Sequence, residues 1–119
     1  MKDWLRQLFA VIDRKDVEGF VLFLAEDASF RFANFVAVVG RDNIRKAVSS
    51  FFSQIKGLQH RIIEVWEYAD TVICEGEVTY MRNDDTKLTL PFANIFRMKD
   101  NLIADYRIYI DISPLSDKL

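Results

Sequence analysis

Two periodicities divide the chain. From Trp4 to Ile55 the apolar residues recur at helical spacing, and after Leu58 they mostly alternate, as in strands. Trp4, Leu5, Leu8, Phe9 and Ile12 form the stripe of a first helix. Asp13-Arg14-Lys15-Asp16 interrupts it, and capping accounts for both aspartates. Asp16 is placed to cap a second helix carrying Val17, Phe20, Val21 and Leu24 at i, i+3, i+4 and i+7. Glu26-Asp27 ends that helix, Ala28 to Phe32 reads as a short strand, and Asn34 to Val39 as a loop or a second short strand. Gly40-Arg41-Asp42 opens a third helix with a wide stripe of Ile44, Ala47, Val48, Phe51, Phe52 and Ile55. Asp42 suits the positive end of its dipole, and Lys56-Gly57 is expected to close it.

Four long strands follow, separated by turn signals at Ala69-Asp70, Asn83-Asp84-Asp85 and Lys99-Asp100-Asn101. Connections this short join antiparallel neighbours. Helices first and a meander afterwards argue for an α+β domain: a curled, cone-shaped antiparallel sheet with three N-terminal helices enclosing a pocket.

Parity splits each strand into two faces. Val72, Cys74, Gly76, Val78 and Tyr80 are expected to look inward, as are Leu88, Leu90, Phe92, Asn94, Phe96 and Met98. Leu102, Ala104, Tyr106, Ile108, Ile110 and Ile112 form the inner face of the last strand. In the first long strand His60, Ile62, Glu64, Trp66 and Tyr68 share one face and Ile63 and Val65 the other, which leaves the inner one open. Asn94 is the strongly polar side chain on an otherwise apolar face, and a buried amide left without partners costs roughly 1–3 kcal/mol. Either Asn94 and His60 are satisfied internally, or both point into a cavity, for which small Cys74 and Gly76 would leave room. The outer face carries Ile63, Val65, Ile73, Ile95, Ile103 and Tyr109 beside Arg97, Arg107 and Asp111. So much apolar surface suggests a homodimer packed sheet to sheet.

Length and composition narrow the class. The 119 residues allow a single domain, residues 1–119, large enough for a core without staples. A net charge of -2 gives no electrostatic footprint for nucleic acid. No apolar run reaches the ~18 residues of a membrane span, and Met1-Lys2-Asp3-Trp4 lacks a signal peptide's apolar stretch, so a cytoplasmic protein without membrane partners is expected. One cysteine and one histidine make neither a disulfide framework nor a zinc site, and no phosphate loop, nucleophile elbow or dinucleotide fingerprint is present, so no metal or cofactor is expected.

Several segments together carry a family likeness. Ile12-Asp13-Arg14-Lys15-Asp16, Leu24-Ala25-Glu26-Asp27-Ala28-Ser29-Phe30 and Gly40-Arg41-Asp42-Asn43-Ile44 are followed by Leu90-Pro91-Phe92-Ala93-Asn94-Ile95-Phe96-Arg97 and Tyr109-Ile110-Asp111-Ile112-Ser113-Pro114-Leu115. In this order and spacing the chain resembles the SnoaL-like group of the nuclear transport factor 2-like superfamily, which includes ketosteroid isomerases. The resemblance implies a cone with a deep pocket and commonly a homodimer. The catalytic residues do not carry over. The isomerase's aspartate base falls at about Phe32, its oxyanion-hole tyrosine at Leu8 and its protonated aspartic acid at Asn94. The aspartate–arginine–aspartate set of limonene epoxide hydrolases falls near Asn94, Phe92 and Ile108, and the SnoaL-type cyclase base at about Asn94. Scytalone dehydratase, whose pocket is lined by histidine and asparagine, is closer, but it uses more than one histidine.

Three functions stay open. The first is a protein binding an apolar small molecule, with Phe30, Phe32, Phe52, His60, Tyr80, Phe92, Asn94, Phe96, Tyr106 and Ile108 lining the pocket. The second is an isomerase, cyclase or dehydratase with His60 as acid/base and Asn94 or Tyr80 bonding a developing oxyanion. Glu64 would lie roughly 13 Å along the strand from His60, so an acid partner is sought on an adjacent strand. The third is an association module that docks through its sheet and uses no pocket.

Overall fold

The computed structural model describes residues 1–116. The order is α1 (Asp3–Asp13), α2 (Val17–Val21), β1 (Leu24–Phe32), β2 (Val38–Val39), α3 (Arg41–Ser53), β3 (Gly57–Tyr68), β4 (Thr71–Met81), β5 (Lys87–Lys99), β6 (Leu102–Tyr109) and α4 (Ser113–Ser116). A six-stranded sheet in the order β2-β1-β6-β5-β4-β3 curls around α1 and α3. The meander β3 to β6 is antiparallel throughout, while β1 runs parallel to β6 and so departs from a purely antiparallel sheet. Among the described residues no helix is long and apolar enough to cross a membrane.

The helical stripes form the core. Leu5, Leu8, Phe9 and Ile12 of α1 and Ile44, Val48 and Phe52 of α3 are buried against the inward strand residues. Full burial of one such side chain stabilises by roughly 1.5–3 kcal/mol. Asp16 caps α2, its Oδ1 accepting the Gly19 N–H at 2.9 Å. The second helix is shorter than its spacing suggests. Leu24 is buried as expected, yet it opens β1 opposite Ile103, whose N–H donates to the Phe23 carbonyl at 2.8 Å. Strand pairing has overridden the helical period. Likewise α3 ends at Ser53, and Gly57 begins β3 instead of closing the helix.

Two bulges shift the faces inferred from parity. On β3 Ile62 pairs with Gly76 but Val65 with Cys74, so Ile63 is the extra residue and Val65 turns inward while Trp66 and Tyr68 turn out. On β6 Met98 pairs with Ile103 and Arg97 with Asp105, which makes Ala104 the extra residue and buries Ile103 completely. The outer face therefore loses Val65 and Ile103 and gains Trp66 and Tyr68.

Candidate functional site

The open end of the cone leads into a cavity of about 400 Å³. Its walls come from α3 (Val48, Phe51, Phe52), β1 (Phe30, Phe32), β4 (Val78, Tyr80) and the end of β6 with the segment after it (Ile108, Ile110, Ile112). Phe35 and Val36, in the turn between β1 and β2, line the cavity and are also exposed, which places them at the mouth. His60, Phe92, Asn94 and Tyr106 complete the set of expected residues on the wall. Phe96 does not join them. It is fully buried behind the wall, its ring edge-on to Trp4 at 5.5 Å and tilted against Tyr106 at 4.5 Å.

Cys74 and Gly76 do not make the room, as expected from their size, because neither lines the cavity. Cys74 is buried in the core, where burial pushes its thiol up to about 12 against a smaller opposing hydrogen bond with the Asn94 backbone. Gly76 lies directly beneath the β3 bulge, and a Cβ there would overlap the Arg61 carbonyl group.

His60 has a partner that sequence reasoning assigned to capping. Asp13, the last residue of α1, places Oδ1 at 2.6 Å from His60 Nδ1, and its Oδ2 accepts the His60 backbone N–H at 3.0 Å. The acid thus comes from a helix and not from an adjacent strand. A carboxylate only accepts, so Nδ1 carries the proton between them, and in the neutral ring Nε2 is the lone-pair nitrogen. The imidazole lies between Phe9 and Phe92, at 4.8 and 5.3 Å between ring centres. Its side chain is 12% exposed, on the cavity wall, while Asp13 stands behind it outside the cavity. Lys15, in a left-handed turn after α1, donates to the Phe52 and Ile55 carbonyls at 3.1 and 2.9 Å and so ties the end of α1 to the end of α3. The pattern Asp13-x-x-Asp16 held the signal for the dyad: one aspartate suffices for the cap.

Asn94 is 1% exposed. Its Nδ2 donates to the Tyr106 hydroxyl at 3.5 Å, and its Oδ1 is enclosed without a partner among the described residues. Nδ2 carries two N–H groups, of which this contact uses one. Asn94 and His60 do not satisfy one another. Burial raises the phenols of both Tyr80 and Tyr106, the latter with smaller contributions from Cys74, Tyr80 and Asp13. Both remain O–H donors at neutral pH.

The SnoaL-like domain family matches residues 5–106, most of the chain. The chain belongs to this family. Among solved structures, a hypothetical protein with a ketosteroid isomerase-like fold from Catenulispora acidiphila DSM 44928, in complex with trimethylamine, is 16% identical with a TM-score of 0.89, over 99% of this chain and 92% of that one. A putative SnoaL-like polyketide cyclase from Jannaschia sp. CCS1 is 12% identical with a TM-score of 0.79, over 96% and 89% of the two chains. An LEH-like epoxide hydrolase from M. tuberculosis is 14% identical with a TM-score of 0.79, over 97% and 85%. Identities this low establish the nuclear transport factor 2-like cone and nothing of the chemistry. No curated protein matches the chain.

Proposed function

We propose that this SnoaL-like protein binds a largely apolar, ring-shaped small molecule in its cavity and acts on it by proton transfer at His60. The observation that carries this reading is the 2.6 Å contact of His60 with Asp13 at the cavity wall. Asp13 fixes the ring and its tautomer, and stabilises the imidazolium that forms when Nε2 takes a proton. Asp13 is then a positioning residue and His60 the catalytic one. The neighbours named as a putative SnoaL-like polyketide cyclase and an epoxide hydrolase support enzymatic use of a cavity in this fold, although Asn94, Phe92 and Ile108 do not match the aspartate–arginine–aspartate set that the resemblance to limonene epoxide hydrolases implies. A carboxylate-oriented histidine on the cavity wall favours this reading over plain binding.

The test begins with mass spectrometry of the purified protein, native and then denatured, to identify a retained molecule. Conversion of that molecule, or its exchange of hydrogen for deuterium in heavy water, is then followed. His60→Gln is expected to bind it still but convert it at least ~100-fold more slowly, the usual range for general acid/base catalysis. Conversion by His60→Gln at the wild-type rate would remove the acid/base role.

We infer that the outer face of the sheet pairs with a second copy of the chain. Ile63, Trp66, Tyr68 and Tyr109 are exposed there around Arg97, Asp105 and Arg107, more apolar surface than a free sheet face usually shows.

A further inference from the structure

Tyr80 carries a polar group that neither the fold nor the His60–Asp13 pair uses. The residue is 3% exposed, and among the described residues no hydrogen bond reaches its hydroxyl. The sealed side-chain atoms without partners are Arg82 Nε and Asn94 Oδ1, and the Tyr80 oxygen is not among them. Its remaining accessibility is therefore onto the cavity that the residue lines. A buried tyrosine usually finds a partner for its O–H. The ring is held in place by Phe51, edge to face at 5.8 Å.

We propose that Tyr80 is the polar anchor of the ligand, its hydroxyl donating to the oxygen of a neutral carbonyl group on an aromatic ring system. Neutrality follows from the lining, which among the described residues contains no lysine or arginine, and its histidine is already committed to a carboxylate. A carboxylate or phosphate would be stripped of water there without a countercharge. The ring system follows from walls built of Phe30, Phe32, Phe51, Phe52 and Phe92. Because burial raises its phenol, Tyr80 stays a donor and cannot serve as the base. Strand register relates the anchor to His60: His60 pairs with Val78 and Leu58 with Tyr80, so the two lie diagonally on one face. Such diagonal positions are roughly 7–8 Å apart, close enough for one ligand to meet both side chains. This inference rests on the cavity being the ligand site, but not on His60 acting as acid/base.

Three probes test it by calorimetry on the full chain: 2-acetylnaphthalene, its carbonyl-free analogue 2-ethylnaphthalene, and 2-naphthoate. Tyr80→Phe is expected to weaken 2-acetylnaphthalene about tenfold, the worth of one net hydrogen bond, while leaving 2-ethylnaphthalene within about twofold. 2-Naphthoate is expected to bind at least about tenfold more weakly than the ketone to wild type. Should the variant fold poorly, the carbonyl stretch of ¹³C-labelled 2-acetylnaphthalene bound to wild type gives the same answer, with a lowered frequency expected. Equal weakening of both neutral probes, an unshifted stretch, or tightest binding of 2-naphthoate would overturn the anchor while leaving the cavity as the binding site. No saturable binding of either neutral probe would overturn the anchor together with the ligand-site reading beneath it.

Discussion

Asp13 closes α1 at the negative end of the helix dipole, where a carboxylate is disfavoured unless donors meet it. The ring and backbone N–H groups of His60 supply two. Asp13→Ala removes both bonds and leaves the His60 backbone N–H without its acceptor, so urea denaturation should show a loss of about 1–3 kcal/mol. A loss below ~0.5 kcal/mol would mean that the pair is not formed in solution. Asn94 gives the opposite expectation. Its Oδ1 is enclosed without a partner among the described residues and its Nδ2 meets the Tyr106 hydroxyl, and replacing both partners of a buried bond by apolar groups of the same shape is often nearly neutral or stabilising. Asn94→Leu combined with Tyr106→Phe should therefore fall within about 1 kcal/mol of wild type or above it, and a loss over ~2 kcal/mol would show that the amide oxygen is satisfied after all. At this scale the sequence revealed which residues were unusual but not what they touched. A lone polar residue on an apolar face marks Asn94 reliably. The pairing of His60 with Asp13 spans 47 positions and depends on how α1 packs, which no local pattern encodes.

Among the elements, the β3–β4 ladder shows how a single missing side chain shapes the site. The bulge at Ile63 brings the Arg61 carbonyl over Gly76, and this close approach keeps His60 and Ile62 on the inner face before the parity reverses at Val65. Gly76→Ala should cost roughly 3 kcal/mol or more, since the obstacle is backbone and cannot swing aside. Gly57, with open space around its Cβ position, serves as the control, and Gly57→Ala should stay within ~1 kcal/mol of wild type by the same denaturation measurement. Alternation along β4 and β5 was legible in full because those central strands pair without interruption. It failed on β3 and β6, where one extra residue in each inverts the faces beyond it. The end of α2 was illegible for a related reason: burial of Leu24 satisfies a helical period and a strand alike.

At the scale of the molecule, the cone separates an inner surface from an outer one. The inner one holds the cavity, and the outer one carries Ile63, Trp66, Tyr68 and Tyr109 exposed, with Ile73 and Ile95 half-buried between them. If that face pairs with a second copy, sedimentation velocity should give a dimer for wild type and a monomer for Ile95→Glu, while a wild-type monomer at 100 µM, about a hundred times the Kd of a micromolar dimer, would reject the pairing. The fold was legible because helices, turns and alternating strands succeed one another in an order few architectures accept. The use of the cavity was not, because it rests on atoms brought together from α1, β3 and β4.

His60 is the only histidine in the chain, so one measurement reports on the site without assignment: the ¹⁵N spectrum of the imidazole at neutral pH, before and after 2-acetylnaphthalene is added. A proton on Nδ1, a lone pair on Nε2, and an Nε2 signal that moves when the cavity is filled would place a carboxylate-held base against the ligand. A proton on Nε2, or a signal indifferent to a probe that demonstrably binds, would contradict it.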